Sequence, residues 1–180
     1  MPTLDAIQAD FDQSLDQWRE ALRHYRDDDL RAELEPDGWT LGQVYEHLIN
    51  STQRYHAKQI ELCLGHHDHQ DQGKTPVGEA LFAANAFPDR RIHVPPSPQY
   101  TPEQPAGRAV LTAQLEELGM IIGLISQQLR QSQGSGKTPH ATLGYLNATE
   151  WLQLIAMHWR HHLRQKQRLD GLLVAQGYQR

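Results

Sequence analysis

The strongest constraint on the fold is a repeated step of three and four residues between apolar side chains. From Leu4 to Tyr25 they fall at Leu4, Ile7, Phe11, Leu15, Trp18, Leu22 and Tyr25. An α-helix turns about 100° per residue, so these positions form one stripe along one rod. Thr3 supplies an N-cap and Asp5 a carboxylate in the first turn, where the macrodipole favours it. Pro36-Asp37-Gly38 then interrupts the pattern.

The step returns three more times. Thr40-x-x-Gln43 is a capping-box signature opening a second helix, with Leu41, Val44, Leu48, Tyr55 and Leu62 on its apolar side and Gly65 at its end. Thr101-Pro102-Glu103-Gln104 signals a third start, delayed about a turn by Pro105, and Leu111, Leu115, Leu118, Ile122, Ile125 and Leu129 form its stripe. Ser132-Gln133-Gly134-Ser135-Gly136 reads as a turn. The last helix begins near Asn147-x-x-Glu150, a cap with a reciprocal carboxylate, and continues beyond Leu169.

Four long amphipathic helices without a convincing alternating strand predict an all-α four-helix bundle. Residues 66–100 lose the period and gather Pro88, Pro95, Pro96 and Pro98, with a short helix expected from Gly78 to Phe87. So long a connection between helices 2 and 3 allows a crossover, and those two helices need not be antiparallel. A length of 180 residues suits a single domain spanning 1–180.

Charge and composition narrow the partners. Lys+Arg 17 against Asp+Glu 22 leaves a net charge of −5, which offers no broad attraction for nucleic acid or an anionic membrane. Cys63 is the single cysteine, so no intramolecular disulfide can form. Uninterrupted apolar runs are a few residues long, against about 20 for a membrane helix. Met1-Pro2-Thr3-Leu4-Asp5 lacks the basic-then-apolar layout of a secretion signal, so a cytoplasmic protein is expected.

Eleven histidines stand out against three Phe and three Met. At that density an H-x-x-x-H pair arises by chance roughly 0.7 times, so position must decide its meaning. In the last helix the seam reads Trp151, Ile155, His158, His162, Gln165, Leu169, Leu172: three polar residues stand where the other helices carry hydrophobes. His158 and His162 are one turn apart on a common face. Burying each without a partner would cost about 1–3 kcal/mol, so something polar must face them. A neighbouring Ser, Gln or carbonyl would suffice, as would water at the seam's border. A metal would need at least a third protein ligand. His47, beside Leu48 and one turn from Val44 and Ser51, is the best supplier; its alternative is a solvent-facing rim position. His24, His56 and His93 lack comparable seam placement, and His66-His67-Asp68-His69 reads as a solvated loop.

Three motifs then suggest a family. Gly38-Trp39-Thr40-Leu41-Gly42-Gln43-Val44-Tyr45-Glu46-His47-Leu48 resembles the "W…H-L" second-helix motif of the DinB/YfiT-like superfamily. Pro139-His140-Ala141-Thr142-Leu143-Gly144-Tyr145-Leu146-Asn147-Ala148-Thr149-Glu150-Trp151-Leu152 resembles its "H-P-x-x-G-x-L-N-x-x-E-W" lead-in to the last helix. His158-Trp159-Arg160-His161-His162-Leu163-Arg164-Gln165 is similar to its "H-x-x-H-H-x-x-Q". Ala141 departs from the pattern where many relatives have proline. The resemblance implies a four-helix bundle with a metal at one end of its core, held by His47, His158 and His162.

Three neutral imidazoles would leave an ion its full charge and open coordination positions, the layout of a catalytic rather than a closed structural site. They suit zinc or nickel, with copper, iron or cobalt also compatible. An open position can lower the pKa of water or activate a substrate thiolate. The resemblance points the same two ways, since the superfamily includes bacillithiol-dependent transferases, mycothiol-dependent isomerases and metal-dependent hydrolases; a low-molecular-weight thiol would serve the former. Gln165 is expected beside His162 or facing a small-molecule substrate, or else as a cross-bundle hydrogen-bonding residue. His140 would line the pocket or bond a turn backbone. Glu46 points about 100° from His47 and reads as a surface carboxylate, Glu150 as a cap, His161 as exposed, and Trp39, Trp151 and Trp159 as packing residues. Three classes follow: a metal-dependent enzyme, a non-catalytic metal or ligand binder, and a structural bundle, monomeric or a homodimer.

Overall fold

The computed structural model describes residues 2–89, 101–132 and 135–177. The first rod, α1 (Leu4–His24), starts where Thr3 Oγ1 accepts from the Ala6 N–H at 3.2 Å, and buries Ile7, Phe11, Leu15, Trp18 and Leu22. Tyr25 leaves the helix yet stays buried, and its hydroxyl donates to Asp170 Oδ1 at 2.5 Å. A short helix, α2 (Asp27–Arg31), occupies the following connection, where the sequence reading placed none.

The second rod is composite: α3 (Leu41–Asn50), a π-helical turn (Ser51–His56) and α4 (Ala57–Gly65). Both halves of the Thr40/Gln43 capping box are formed. After α4 come α5 (Pro76–Ala84) and the third rod, α6 (Arg108–Gln131). Residues 101–107 do not begin that helix at Thr101. Instead Pro105 lies over Gly42, where a Cβ would come within 2.5 Å of its ring, while Gln43 Nε2 donates to the Pro102 carbonyl at 2.8 Å. The segment thus clamps the start of α3. By length and composition α6 could cross a membrane, but Leu111, Leu115, Leu118, Ile122 and Ile125 are buried in the bundle.

A two-stranded hairpin, β1 (Lys137–His140) and β2 (Gly144–Asn147), leads into the last rod, α7 (Ala148–Ala175). The sequence reading recognised no strand. Each is four residues long, and Pro139 and Gly144 erase the alternation that would mark them. At Asn147 the capping box with Glu150 is complete, and Glu150 Oε1 also accepts from Lys74 Nζ at 2.5 Å.

Cross-rod contacts give the directions. Arg130 meets Asp5 at one end and the Arg108 N–H meets Asp27 at the other, so α6 runs antiparallel to α1. Arg160 pairs with Asp10, and Asp170 with Tyr25, so α7 runs parallel to α1. Thr52 meets Trp159 and Cys63 meets the Leu146 carbonyl, so α7 opposes the second rod. The second rod and α6 therefore run the same way and need the crossover that the long connection allows. Of that connection, residues 90–100, with Pro95, Pro96, Pro98 and His93, lie outside the described residues, as do 133–134 of the later turn.

The buried side chains form one apolar cluster centred on Phe11, Trp18, Tyr45, Trp151 and Trp159. Trp18 and Tyr45 meet edge to face with centroids 4.8 Å apart, and Phe11 and Trp159 at 5.6 Å. The three fully buried indole N–H groups are satisfied: Trp18 donates to the Trp159 carbonyl, Trp159 to Thr52 Oγ1 and Trp151 to Thr138 Oγ1. Buried aromatic amines require such partners.

The π turn shifts the phase of the second rod. It absorbs one extra residue, equivalent to a rotation of about 100°. Continued at α-helical pitch, the stripe from Leu48 would pass through Tyr55 and Leu62. In the structure these are 42% and 39% exposed, and the buried positions move one residue on, to His56, Ile60 and Cys63.

Candidate metal centre

His47 lies in the last turn of α3, and His158 and His162 lie one turn apart in the middle of α7. Because the two rods oppose each other, the three rings meet. The Nε2 atoms of His47 and His158 stand 3.0 Å apart, and those of His158 and His162 3.1 Å apart. One ring nitrogen from each of the three histidines falls within 4.8 Å of the other two. Nitrogens sharing one tetrahedral zinc at its usual bond length stand roughly 3.3 Å apart, so the set fits a single ion. Among the described residues this is the one group of histidine, cysteine or carboxylate side chains close enough to hold an ion.

Burial keeps these rings neutral. Desolvation, then the neighbouring His56, lowers His47 to about 4. Desolvation first, then His47, lowers His162 to about 3, against an opposing hydrogen bond from Gln165. His158 is held well below its ordinary value by desolvation and then by the rings of His162, His47 and His56. At neutral pH three lone pairs are therefore available without competition from protons.

Gln165 sits one turn beyond His162 and places Oε1 2.8 Å from its Nδ1. That contact makes Nδ1 the donor and turns the Nε2 lone pair toward the other rings. Trp39 packs its ring 4.9 Å from that of His47. On the other side Phe87, from the segment after α5, lies 6.2 Å from His158 and 5.2 Å from His161. That segment is held on α7 by Arg160 at the Asn85 carbonyl, by Gln153 at Asn85 Oδ1 and by Arg164 at Asp89. His161, expected to be exposed, is half-buried between Phe87 and Arg164.

The other candidates take different positions. His140 accepts from the Thr142 and Leu143 N–H groups through Nδ1 and so braces the hairpin turn. His67 bonds Ser135, away from the cluster, while His24 pairs with Glu20 on the surface. Glu46 is half-buried rather than a plain surface carboxylate: its Oε2 accepts from Asn50 Nδ2 at 2.9 Å. With Asn50, Arg54, Gln104 and Gln114 it lines a polar cleft of about 570 Å³ that reaches His47. The residue that sequence reasoning missed is His56, which is only 7% exposed and lies with its ring 5.8 Å from that of His158. On a regular helix, nine residues beyond His47 is the opposite face. With one residue absorbed by the π turn the difference falls to roughly 80°.

A sequence model described as the DinB superfamily matches residues 3–165. The chain belongs to the DinB superfamily. A search of curated proteins finds no match for this DinB-superfamily chain. Among solved structures it is similar to one described as the crystal structure of TT2238, a four-helix bundle protein. The two share 18% identity over 92% of this chain and 99% of the other, with a TM-score of 0.54. That likeness supports the bundle fold alone.

Proposed function

We propose that this DinB-superfamily protein is a divalent-metal-dependent enzyme, with zinc or nickel as its ion, acting on a polar small molecule by thiol transfer or hydrolysis. The observation that carries the reading is the convergence of three neutral Nε2 atoms from two rods, with no fourth ligating side chain among the described residues. Three histidines from a rigid bundle hold an ion while leaving a position for substrate, whereas a structural site would be closed by four protein ligands. When bound, the ion would supply Lewis acidity, either to activate a substrate thiol or to polarise a bond for hydrolysis.

The protein's own groups define the rest. His47, His158 and His162 would hold the ion through Nε2, and Gln165 orients His162 through Nδ1. The cleft beside His47 is lined by amides, two carboxylates (Glu46 and Glu103) and the Arg54 guanidinium, a lining suited to a hydrophilic substrate. Asn50 fixes the Glu46 carboxylate in that wall, where it is placed to accept a hydrogen bond from a polar substrate.

The test begins with metal content of protein purified without a histidine tag. One equivalent of zinc or nickel in wild type, lost in His158→Ala, is expected. Metal-dependent consumption of a low-molecular-weight thiol with an electrophile, or metal-dependent turnover across a panel of hydrolase substrates, then establishes the enzyme. Retained metal with no turnover in either panel would replace the enzyme with a non-catalytic binding protein. Absence of metal would remove both.

A further inference from the structure

His56 stands outside the ligand set, yet its position is unusual. The imidazole is buried, and its Nδ1 has no hydrogen-bond partner among the described residues. One other ring nitrogen shares that condition, Nδ1 of His158. The two rings face each other nearly at right angles, 86°, with centroids 5.8 Å apart. The rings of Trp151 and Tyr55 also pack on His56, with centroids 5.8 Å and 5.5 Å away, and His140 is a further neighbour.

The two orphaned atoms are chemically complementary. His158 directs Nε2 at His47 and His162, so with an ion on Nε2 its neutral ring must carry the proton on Nδ1. That N–H is then a buried donor. Histidine ligands nearly always give their second N–H to an acceptor, which sets the tautomer and the ring angle. His162 does so with Gln165 Oε1. For His158 the facing group is His56, whose Nδ1 is an enclosed acceptor when its own proton sits on Nε2. Two enclosed, unpartnered nitrogens of complementary chemistry, on rings whose centroids are 5.8 Å apart, can share one bridging water.

We propose that His56 is a positioning residue of the metal centre, accepting the Nδ1–H of His158 through one bridging water and so locking that ring in its metal-binding tautomer. The inference rests on the three-histidine reading of the site. The π turn is what makes it geometrically available, because without the extra residue position 56 would face away from His47. π turns of this kind are frequent at functional sites.

The test uses the full chain loaded with zinc, comparing wild type, His56→Phe and His56→Asn. Phenylalanine fills the ring volume without an acceptor, whereas the asparagine amide oxygen lies near the place of Nδ1. Zinc affinity, measured by chelator competition, is expected to fall about 10–100-fold in His56→Phe and to stay within about threefold of wild type in His56→Asn. In ¹⁵N-labelled zinc protein, the slowly exchanging Nδ1–H resonance of His158 should persist in wild type and His56→Asn and broaden away in His56→Phe. A packing role would not produce that difference. Wild-type affinity in His56→Phe, or equal losses in the two variants, would overturn the proposal while leaving the three-histidine site standing. A wild-type protein that binds no zinc or nickel would overturn both.

Discussion

Acidifying the metal-free protein below pH 6.5 should destabilise it steeply before the carboxylates titrate. In the folded state His47 and His56 are held at about 4 and His162 at about 3, chiefly by desolvation, against an ordinary value of 6.5. Below pH 6.5 the unfolded chain takes up protons that the folded rings refuse. Stability is therefore full above 6.5 and falls with pH until the folded rings titrate, near 4 and 3. Each ring contributes up to about 1.4 kcal/mol per pH unit across that window, so three give a slope of up to about 4 kcal/mol per unit. His158 adds to it in the same direction. Between pH 6.5 and 5 the loss sums to about 6 kcal/mol, a large share of a total stability of about 5–15 kcal/mol. Urea unfolding followed by tryptophan fluorescence, in chelator at several pH values between 7 and 5, measures the slope. The variant His47→Gln removes one buried ring and should flatten the slope by about 1 kcal/mol per unit. Stability unchanged between pH 7 and 5, or an unaltered slope in the variant, would refute the claim that these rings are buried and neutral.

Other outcomes follow from particular contacts. Replacing Gln165 with Leu removes the acceptor of His162 Nδ1 and should weaken zinc binding about 10–100-fold by chelator competition, with the circular dichroism of the metal-free protein unchanged. Trp159→Ala removes a fully buried indole packed on Phe11 and Trp18 and should cost about 3–5 kcal/mol in chemical denaturation. In Gly78→Ala the new Cβ would stand 2.3 Å from the Leu143 carbonyl oxygen, so α5 must move off the hairpin, at a cost of about 1–3 kcal/mol. A Gly78→Ala protein as stable as wild type would show that α5 does not pack as described.

Much of this architecture was legible in the chain because the signals are local. The three- and four-residue steps define α1 and α6 to within a turn and the buried face of α7, whose end they leave open, since one buried stripe per helix leaves little freedom in phase. The capping boxes at Thr40 and Asn147 placed two helix starts correctly, because the partners lie three residues apart. Pro105 went the other way: it reads as a mild delay of a helix, yet its ring seats on Gly42, and Thr101–Gly107 becomes a clamp. The hairpin was illegible because its pairing partner and its packing against α4 and α7, rather than its own alternation, stabilise it.

The sequence alone determined that four amphipathic rods must share one core, and that two histidines of the last rod occupy its seam. Residue type and period suffice for that, because burial of an apolar stripe depends only on where it lies around its own helix. Only the tertiary structure decided that His47 reaches His158 and His162, that Glu46 faces a cleft, and that His56 joins the cluster. Those facts depend on the crossover direction of the second rod relative to α7 and on one extra residue absorbed in a π turn. Neither leaves a periodic mark in the chain, since the cost of the π turn is met by what the shifted half of the helix packs against.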